Sequence, residues 1–283
     1  MDRLEVEICS YKRTAELAML LVSLYYQTFR NFDLIVVDGQ KDNPARNQKY
    51  INDLLIKFKF RGHGVKYIIE DVRKGISASR NLAVRSAFPS EFHCRIDDDS
   101  VCEPDYLEKL WNMITQDNIG IAGGIVPYFG GPSIYRDSNK LGNYFETIEY
   151  TPNGIMVSDN GGMQWTPDII AFSHHCRSSY AFRKSVWDKV NGFSEDMGGM
   201  ISGYREETDF AIKVAYAGYK IMTDTSAICW HLRTPSGGVK PETNNPLQYQ
   251  QEYAQAVQIN EIHFQKKFQR LFEKKGDPYA RWN

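Results

Sequence analysis

Three consecutive carboxylates, Asp97, Asp98 and Asp99, are the residues of this chain whose type and spacing best suit chemistry. They directly follow residues 92–96, in which apolar side chains recur at every second position, as in a strand with one buried face. Because alternate side chains of an extended segment point the same way, Asp97 and Asp99 can face one site while Asp98 faces away. Carboxylates this close repel one another, and a bound Mg²⁺ or Mn²⁺ would relieve the repulsion. The pattern predicts a divalent metal site at the end of a strand.

Two other interpretations of these three acids have to be weighed. A solvated acidic turn is one of them, because Asp is an ordinary turn residue. An EF-hand loop beginning at Asp97 is the other, and it would place Glu108 at the twelfth position. That loop fails, because Val101 stands at its fifth position and Cys102 at the sixth, where glycine is needed. The choice between an acidic turn and a metal site depends on the rest of the chain.

The elements that must position the acids alternate between strand and helix patterns. Predicted strands cover residues 6–9, 32–39, 65–69 and 92–97, and predicted helices begin at Thr14, near Asn43 and just after Gly75. This order is typical of an α/β fold with an open, mostly parallel sheet flanked by helices. Such sheets bind ligands outside the carboxyl ends of their strands, where Asp38, Arg80 and the three acids can converge.

Composition excludes several classes of function. The net charge is −1 with no long block of one sign, so no nucleic-acid partner is expected. The five cysteines are scattered and form no Cys-x-x-Cys, which indicates reduced thiols. The N-terminus has no secretion signal and the chain has no run of about eighteen apolar residues, so a soluble cytoplasmic protein is expected. No dinucleotide fingerprint or P-loop is present, so a nucleotide would be held in another way.

The second half of the chain adds another acidic group and an amphipathic helix. Glu206, Glu207 and Asp209 open a predicted helix after a glycine-rich stretch. Acids in a first helical turn are ordinary capping residues, but together with the three earlier acids they favour a catalytic carboxylate. Residues 128–170 alternate glycines with aromatics, which indicates short strands or a long functional loop beside the site. Residues 246–275 predict a helix that packs on the core or a second subunit, or lies on a membrane surface.

The ordered motifs resemble the family 2 inverting glycosyltransferases of the GT-A fold over about residues 4–231. They read CSYKR, VVDGQ, GISASRNLAVRSA, CRIDDDSVCEPDYLEKL, YAFRKSVWDKVNGFSED and YREETDFAIKVAYAGYK. The resemblance implies a GT-A (Rossmann-like) domain over residues 1–231, with a nucleotide-binding half (1–100) and an acceptor half (101–231). Residues 232–283 would form a flexible loop, able to fold over the donor, and a C-terminal helical extension.

The resemblance also implies roles for single residues. The nucleotide would be held by residues from four motifs: Ser10, Tyr11, Arg13, Asp38, Arg80, Asp97 and Asp98. In the first of these motifs Cys9-Ser10-Tyr11-Lys12 replaces the family's usual Pro-x-Tyr/Phe-Asn. The metal, Mn²⁺ or Mg²⁺, would be bound by Asp97, Asp99 and His231. The catalytic base would be Glu207 or Glu206, and partial burial is expected to raise its basicity.

The activity that follows is hexosyl transfer from a nucleotide-diphosphate sugar, with UDP favoured, to a hydroxyl of a glycan or lipid-linked acceptor. Two alternatives share parts of the pattern. A nucleotidyltransferase acting on sugar phosphates also uses paired acids, a metal and an α/β sheet. A non-catalytic carbohydrate-binding protein could stack tyrosines and tryptophans on sugars and use the acids for structural Ca²⁺. The sequence does not determine the oligomeric state.

Overall fold

The computed structural model describes residues 2–129, 147–158, 168–197, 199 and 201–282. The strands are β1 (Leu4–Ser10), β2 (Phe32–Asp38), β3 (Val65–Ile69), β4 (Phe92–Asp97), β5 (Ser100–Cys102), β6 (Ile119–Ile125), β7 (Thr147–Thr151), β8 (Gly154–Ser158), β9 (Ile170–Phe172), β10 (Tyr180–Arg183) and β11 (Lys220–His231). The helices are α1 (Thr14–Tyr25), α2 (Lys49–Phe60), α3 (Ile76–Ser86), α4 (Tyr106–Ile114), α5 (Lys184–Lys189), α6 (Glu206–Tyr216) and α7 (Pro246–Lys275). Much of the predicted loop 128–170 lies outside the described residues.

The predicted alternation of strands and helices up to β4 is confirmed, with one shifted boundary. The second helix begins at Lys49 rather than near Asn43. Residues Ala45–Asn47 form a separate 3₁₀ turn, and Gln48 after it is extended, with ψ 125°. The turn is held by the Asp38 carboxylate, which accepts a hydrogen bond from the Ala45 amide at 2.7 Å. A long-range capping contact of this kind leaves no local sequence pattern, so the periodicity alone extends the helix too far.

Nine strands of the described residues form one sheet, in the order β3-β2-β1-β4-β10-β6-β11-β5, with β9 also paired to β11. The sheet is parallel where β1 joins β2 and β4 and where β2 joins β3. It becomes mixed beyond β4, because β10 runs antiparallel to both β4 and β6. The chain moves outward from β1 to β3 and then returns to the other side of β1 at β4. The crevice between the carboxyl ends of β1 and β4 is therefore the switch point of strand order.

The long C-terminal helix α7 packs on the body of the protein. Phe264, Phe268 and Phe272 of α7 are buried in a cluster that also contains Phe210 of α6 and Ile155 of β8. This contact confirms the packing interpretation of the helix on the core. Among the helices of the described residues, none combines the length and the apolar character needed to span a membrane.

Glu5 of β1 is a buried acid that should make the stability of the fold depend on pH. Its side chain is 0% exposed, and burial raises the pKa of Glu5 from 4.5 to about 7. The folded state therefore holds this proton more tightly than the unfolded chain, so stability falls as the pH rises from about 4.5 to about 7. Glu5→Gln removes the free-energy cost of ionising this buried carboxyl group. We expect the variant to be about 1–2 kcal/mol more stable than the parent at pH 8 and nearly equal at pH 4, by urea denaturation.

The matched control for this prediction is Glu149→Gln, because Glu149 is exposed on β7. The control should leave the free energy of unfolding unchanged at both pH values. A Glu5→Gln variant that is equally destabilised at pH 4 and pH 8 would show that the carboxylate contributes through packing rather than through its charge.

Candidate active site

A cavity of about 630 Å³ opens at the carboxyl ends of β1 and β4. Its floor comes from the β1–α1 loop, the end of β4, the first turns of α3 and α6, and the end of β11. The loop after β11 and the amino-terminal part of α7 complete its wall. The cavity thus lies at the switch point of strand order, where open α/β sheets bind their ligands.

Asp97, Asp99 and His231 meet at the floor of this cavity. One ligand atom from each lies within 4.8 Å of the other two, and the Nε2 atom of His231 is 3.1 Å from Oδ1 of Asp99. The meeting follows from the antiparallel pairing of β5 with β11, which places His231 opposite Ser100. Two carboxylates and an imidazole are a donor set that suits Mn²⁺, and the carboxylates also suit Mg²⁺. The structure therefore brings together the three predicted metal ligands in a set that fits such a cation.

The electrostatic environment keeps Asp99 ionised. Burial alone would raise the pKa of Asp99, but the hydrogen bond to His231 and the charge of Arg13 lower it to about 2. Asp99 also accepts a hydrogen bond from the Thr234 amide at 3.2 Å. A carboxylate held in its charged form is ready to bind a cation without first losing a proton.

Asp98 takes a different position, buried beneath the β1–α1 loop. Ser10 Oγ donates to one of its oxygens at 2.8 Å, and Arg13 Nη1 donates to the other at 2.9 Å. Burial raises the pKa of Asp98 to about 6. Arg13 Nη1 is also 3.0 Å from Asp99. These contacts tie the predicted nucleotide residues Ser10 and Arg13 to the acids at the end of β4.

The two candidate bases have different surroundings. Glu206 is buried and receives two hydrogen bonds from Arg95, at 2.9 and 3.0 Å, while Arg80 makes a further close ion pair with it. Glu207 is 21% exposed in its side chain and lines the cavity, with a single 3.3 Å contact to Arg95 Nη2. Glu206 also lines the cavity, but the guanidinium groups hold it in place, and Glu207 is the more exposed of the two carboxylates.

Burial was expected to raise the basicity of the catalytic carboxylate, and this expectation is wrong for Glu207. Burial does raise its pKa, but the neighbouring charges of Arg95 and Arg80 act the other way and lower the pKa of Glu207 below its ordinary value. Glu207 is therefore fully ionised at neutral pH and is a weaker base than an isolated glutamate.

Arg80 and Asp38 were both predicted to hold the nucleotide, but only Arg80 lines the cavity. Arg80 lines it and donates from Nη2 to Asp97 at 2.9 Å, so it links the acid at the end of β4 to Glu206. Asp38 is 1% exposed, and its carboxylate accepts hydrogen bonds from the Gln40 and Ala45 amides and from Tyr67. The neighbouring Gly39 lines the cavity, while Asp38 supports the loop behind it.

Sequence reasoning missed several residues of the cavity. Glu70 follows β3 and lines the cavity, with Ser79 Oγ donating to it at 2.8 Å, and burial raises its pKa. An acid at the end of a parallel strand is the signal that could have found Glu70. Arg95 does not line the cavity but holds Glu206 there, and it could have been found as a charged residue inside an apolar strand. Tyr249 and Tyr253 of α7 line the cavity as well, but nothing local in their sequence indicates it.

The loop after β11 lies over the β1–α1 loop, on the side of the cavity predicted to hold the donor. The Gly238 amide donates to the Tyr11 carbonyl at 2.8 Å, and Arg13 Nε donates to the Ser236 carbonyl at 3.0 Å. Gly237 has φ +70°, and a Cβ on it would lie 2.8 Å from the backbone carbonyl oxygen of Tyr11. Glycine is therefore required for this close approach. The predicted mobility of the loop stays a prediction.

This fold and this arrangement of acids define a GT-A type glycosyltransferase. A family model described as glycosyl transferase family 2 matches residues 6–180, more than half of the chain, and the chain belongs to that family. The interpretations as a nucleotidyltransferase and as a non-catalytic carbohydrate-binding protein are therefore set aside. An uncharacterized glycosyltransferase of Haemophilus influenzae is 26% identical over 253 residues, covering 86% of this chain and 72% of that protein.

Other known proteins share shorter stretches or the fold alone. Glycosyltransferase GlyA of Streptococcus pneumoniae is 28% identical over 124 residues, which are 44% of this chain and 16% of that protein. The mannosyltransferase PcManGT of Pyrobaculum calidifontis, solved with GDP-Man and Mn²⁺, matches 83% of this chain with a TM-score of 0.57 and 15% identity. GalNAc-T7, solved with UDP, GalNAc and Mn²⁺, matches 91% with a TM-score of 0.64 and 12% identity. The matches span 58% and 48% of those two solved chains.

Proposed function

We propose that this protein transfers a sugar, with inversion, from a nucleotide-diphosphate sugar to a hydroxyl of a glycan or lipid-linked acceptor. The observation that carries the proposal is a single cavity that holds both the Asp97, Asp99 and His231 cluster and the open carboxylate of Glu207. The cluster can hold a cation beside a departing diphosphate, and Glu207 can take the proton of an incoming hydroxyl. Such a reaction would belong to the synthesis of polysaccharides or glycoconjugates.

The donor side is proposed to be the half of the cavity formed by the first hundred residues and the loop after β11. Asp97, Asp99 and His231 would hold Mn²⁺ or Mg²⁺, which when bound neutralises charge on the leaving diphosphate. Gly39 and Glu70 line the β2–β3 side, where the base would lie. Asp38, which was predicted to contact the nucleotide, would then act indirectly by holding this wall in place. Two structural neighbours contain Mn²⁺ with GDP-Man and with UDP, which supports a metal-assisted nucleotide-sugar donor. UDP is the nucleotide we favour.

The acceptor side is proposed to begin at Glu207. The acceptor oxygen would form a bond to the anomeric carbon from the face opposite the diphosphate, while Glu207 takes the hydroxyl proton. The bond from the anomeric carbon to the diphosphate oxygen breaks, and its electron pair leaves with the nucleoside diphosphate. One displacement of this kind inverts the anomeric centre. The division into a nucleotide half (1–100) and an acceptor half (101–231) is part of the proposal, with residues 232–283 contributing to both sides.

A thermal-shift panel of nucleoside diphosphates and nucleotide sugars, with and without Mn²⁺, tests the donor side. A ligand at one hundred times its dissociation constant stabilises the folded state by about 2.7 kcal/mol. We expect a shift of that size with one nucleotide base and only in the presence of the metal. A panel in which no nucleotide changes the melting temperature would remove the donor site and with it the proposed reaction.

A further inference from the structure

The wall of the cavity beyond Glu207 is rich in tyrosine. Tyr128, Tyr204, Tyr249 and Tyr253 all line it, and we refer to these four residues as the tyrosine wall. Tyr128 follows β6, Tyr204 precedes α6, and the other two lie on α7. Because these segments are far apart in the sequence, the wall is a product of the fold rather than of one aromatic-rich stretch.

Two members of the tyrosine wall, Tyr249 and Tyr253, form a nearly parallel pair of rings. Tyr249 and Tyr253 lie four residues apart on α7, so they share one side of the helix. Their ring centroids are 6.1 Å apart and their planes differ by only 13°. Tyr253 remains 38% exposed, in contrast to Phe264, Phe268 and Phe272 farther along the same helix, which are buried in the core. The tyrosines therefore face the cavity and do not serve as core packing.

The tyrosine wall stands beside the proposed base. Glu207 and Arg233 line the same cavity as the four tyrosines, and burial raises the pKa of Tyr253. The Arg233 guanidinium lies 4.0 Å from the centre of the Tyr128 ring and carries hydrogen-bond donors along the edge of the wall. A molecule lying on the two α7 rings would thus reach both a carboxylate and a guanidinium.

We propose that the tyrosine wall is the acceptor subsite and that the accepting group is a pyranose sugar stacked on Tyr249 and Tyr253. Flat aromatic faces with polar edges suit a sugar ring, whose C–H face is apolar and whose rim carries hydroxyls. Arg233 and other cations that line the cavity could bind a lipid phosphate, so the exposed pair of rings is the observation that favours a sugar. The inference rests on the proposed function, because it takes Glu207 as the base, and it narrows the acceptor to a carbohydrate.

The test measures transfer to the methyl glycosides of glucose, galactose, mannose, N-acetylglucosamine and N-acetylgalactosamine, with polyprenyl phosphate as the competing acceptor. The donor is the nucleotide sugar that gives the metal-dependent thermal shift. We expect one or more glycosides to be glycosylated, and we expect Tyr249→Ala and Tyr253→Ala each to raise the acceptor KM about tenfold. Tyr249→Phe and Tyr253→Phe keep the ring face and should stay within about threefold of the parent.

Tyr50→Ala is the matched control, since Tyr50 is 49% exposed on α2, outside the cavity. It should leave the acceptor KM unchanged, and both alanine variants should bind donor and Mn²⁺ as the parent does. Two results would overturn the proposed acceptor subsite: transfer to polyprenyl phosphate alone, or an unchanged acceptor KM in the alanine variants. Neither result would contradict the proposed donor site. A parent protein that binds no nucleotide with Mn²⁺ would instead overturn the proposed function.

Discussion

Glu207→Gln should lower the kcat of sugar transfer by about 10²–10⁴-fold, the usual contribution of a general base. The amide has the size of the carboxylate but cannot take a proton from the acceptor hydroxyl. Donor binding should change by less than about threefold, because Glu207 has a single 3.3 Å contact with Arg95 and is not part of the metal cluster. Single-turnover transfer and the metal-dependent thermal shift, measured on the same preparation, separate these two quantities.

The neighbouring carboxylate, Glu206, should respond differently to the same substitution. Glu206→Gln would weaken the paired hydrogen bonds with Arg95 and the ion pair with Arg80, so it should lower stability together with activity, as the loss of one partner of a buried ion pair does. Glu149→Gln, on exposed β7, should affect neither. If Glu207→Gln retained most of its turnover while Glu206→Gln lost it without loss of stability, the base assignment would pass to Glu206.

The ion pairs around Arg95 explain why the site needs both halves of the chain. Arg95 lies on β4, two residues before Asp97, and its guanidinium contacts Glu206 and Glu207 on α6. Arg80 of α3 joins the same group through Asp97 and Glu206. Buried charges of this kind are costly unless each has a partner. The network therefore fixes the proposed base relative to Asp97, although Glu207 and Asp97 lie more than one hundred residues apart in the sequence.

The sequence predicts elements whose pattern is local. The apolar runs of β2 and β3 are local patterns, and so are the phenylalanines of α7, which recur every four residues at 264, 268 and 272. Helix α7 has the predicted bounds, Pro246–Lys275. Strand alternation predicts that Asp97 and Asp99 converge, and they do, although Asp98 and Asp99 form a turn between β4 and β5 rather than an extended segment. His231 joins them through the pairing of β11 with β5, and the sequence places it only through resemblance to a family.

The remaining parts of the site depend on where buried polar side chains point, which periodicity cannot tell. Asp38 and Glu70 both end parallel strands, yet Asp38 turns to cap the 3₁₀ turn while Glu70 lines the cavity. The pKa of Glu207 is lowered because of the charges of Arg95 and Arg80, which lie on other elements. Tyr249 and Tyr253 reach the cavity because α7 packs back across the protein. Each outcome is set by a tertiary contact rather than by neighbours in the chain.

Asp99→Asn should abolish most of the metal-dependent part of donor binding. The loss of a group that only supports a metal ligand costs 10–100-fold in affinity, so the loss of a direct ligand should cost about 100-fold or more. The lowered pKa of Asp99, from 3.8 to about 2, means that its charge stabilises the fold above pH 3.8 and that this contribution is lost as the pH falls through about 2. The variant should therefore also be less stable at neutral pH, by up to about 2 kcal/mol.

Titration of the nucleotide with and without Mn²⁺ separates the loss of the metal site from the loss of stability. Without metal, the parent and Asp99→Asn should bind the nucleotide equally, because Asp99 is proposed to act on the nucleotide only through the cation. With metal, only the parent and the surface control Asp53→Asn, whose partner is the exposed Lys49, should gain affinity. An Asp99→Asn variant that kept the full gain from Mn²⁺ would show that the cation binds elsewhere. His231 would then contribute to catalysis only through its hydrogen bond to the acid.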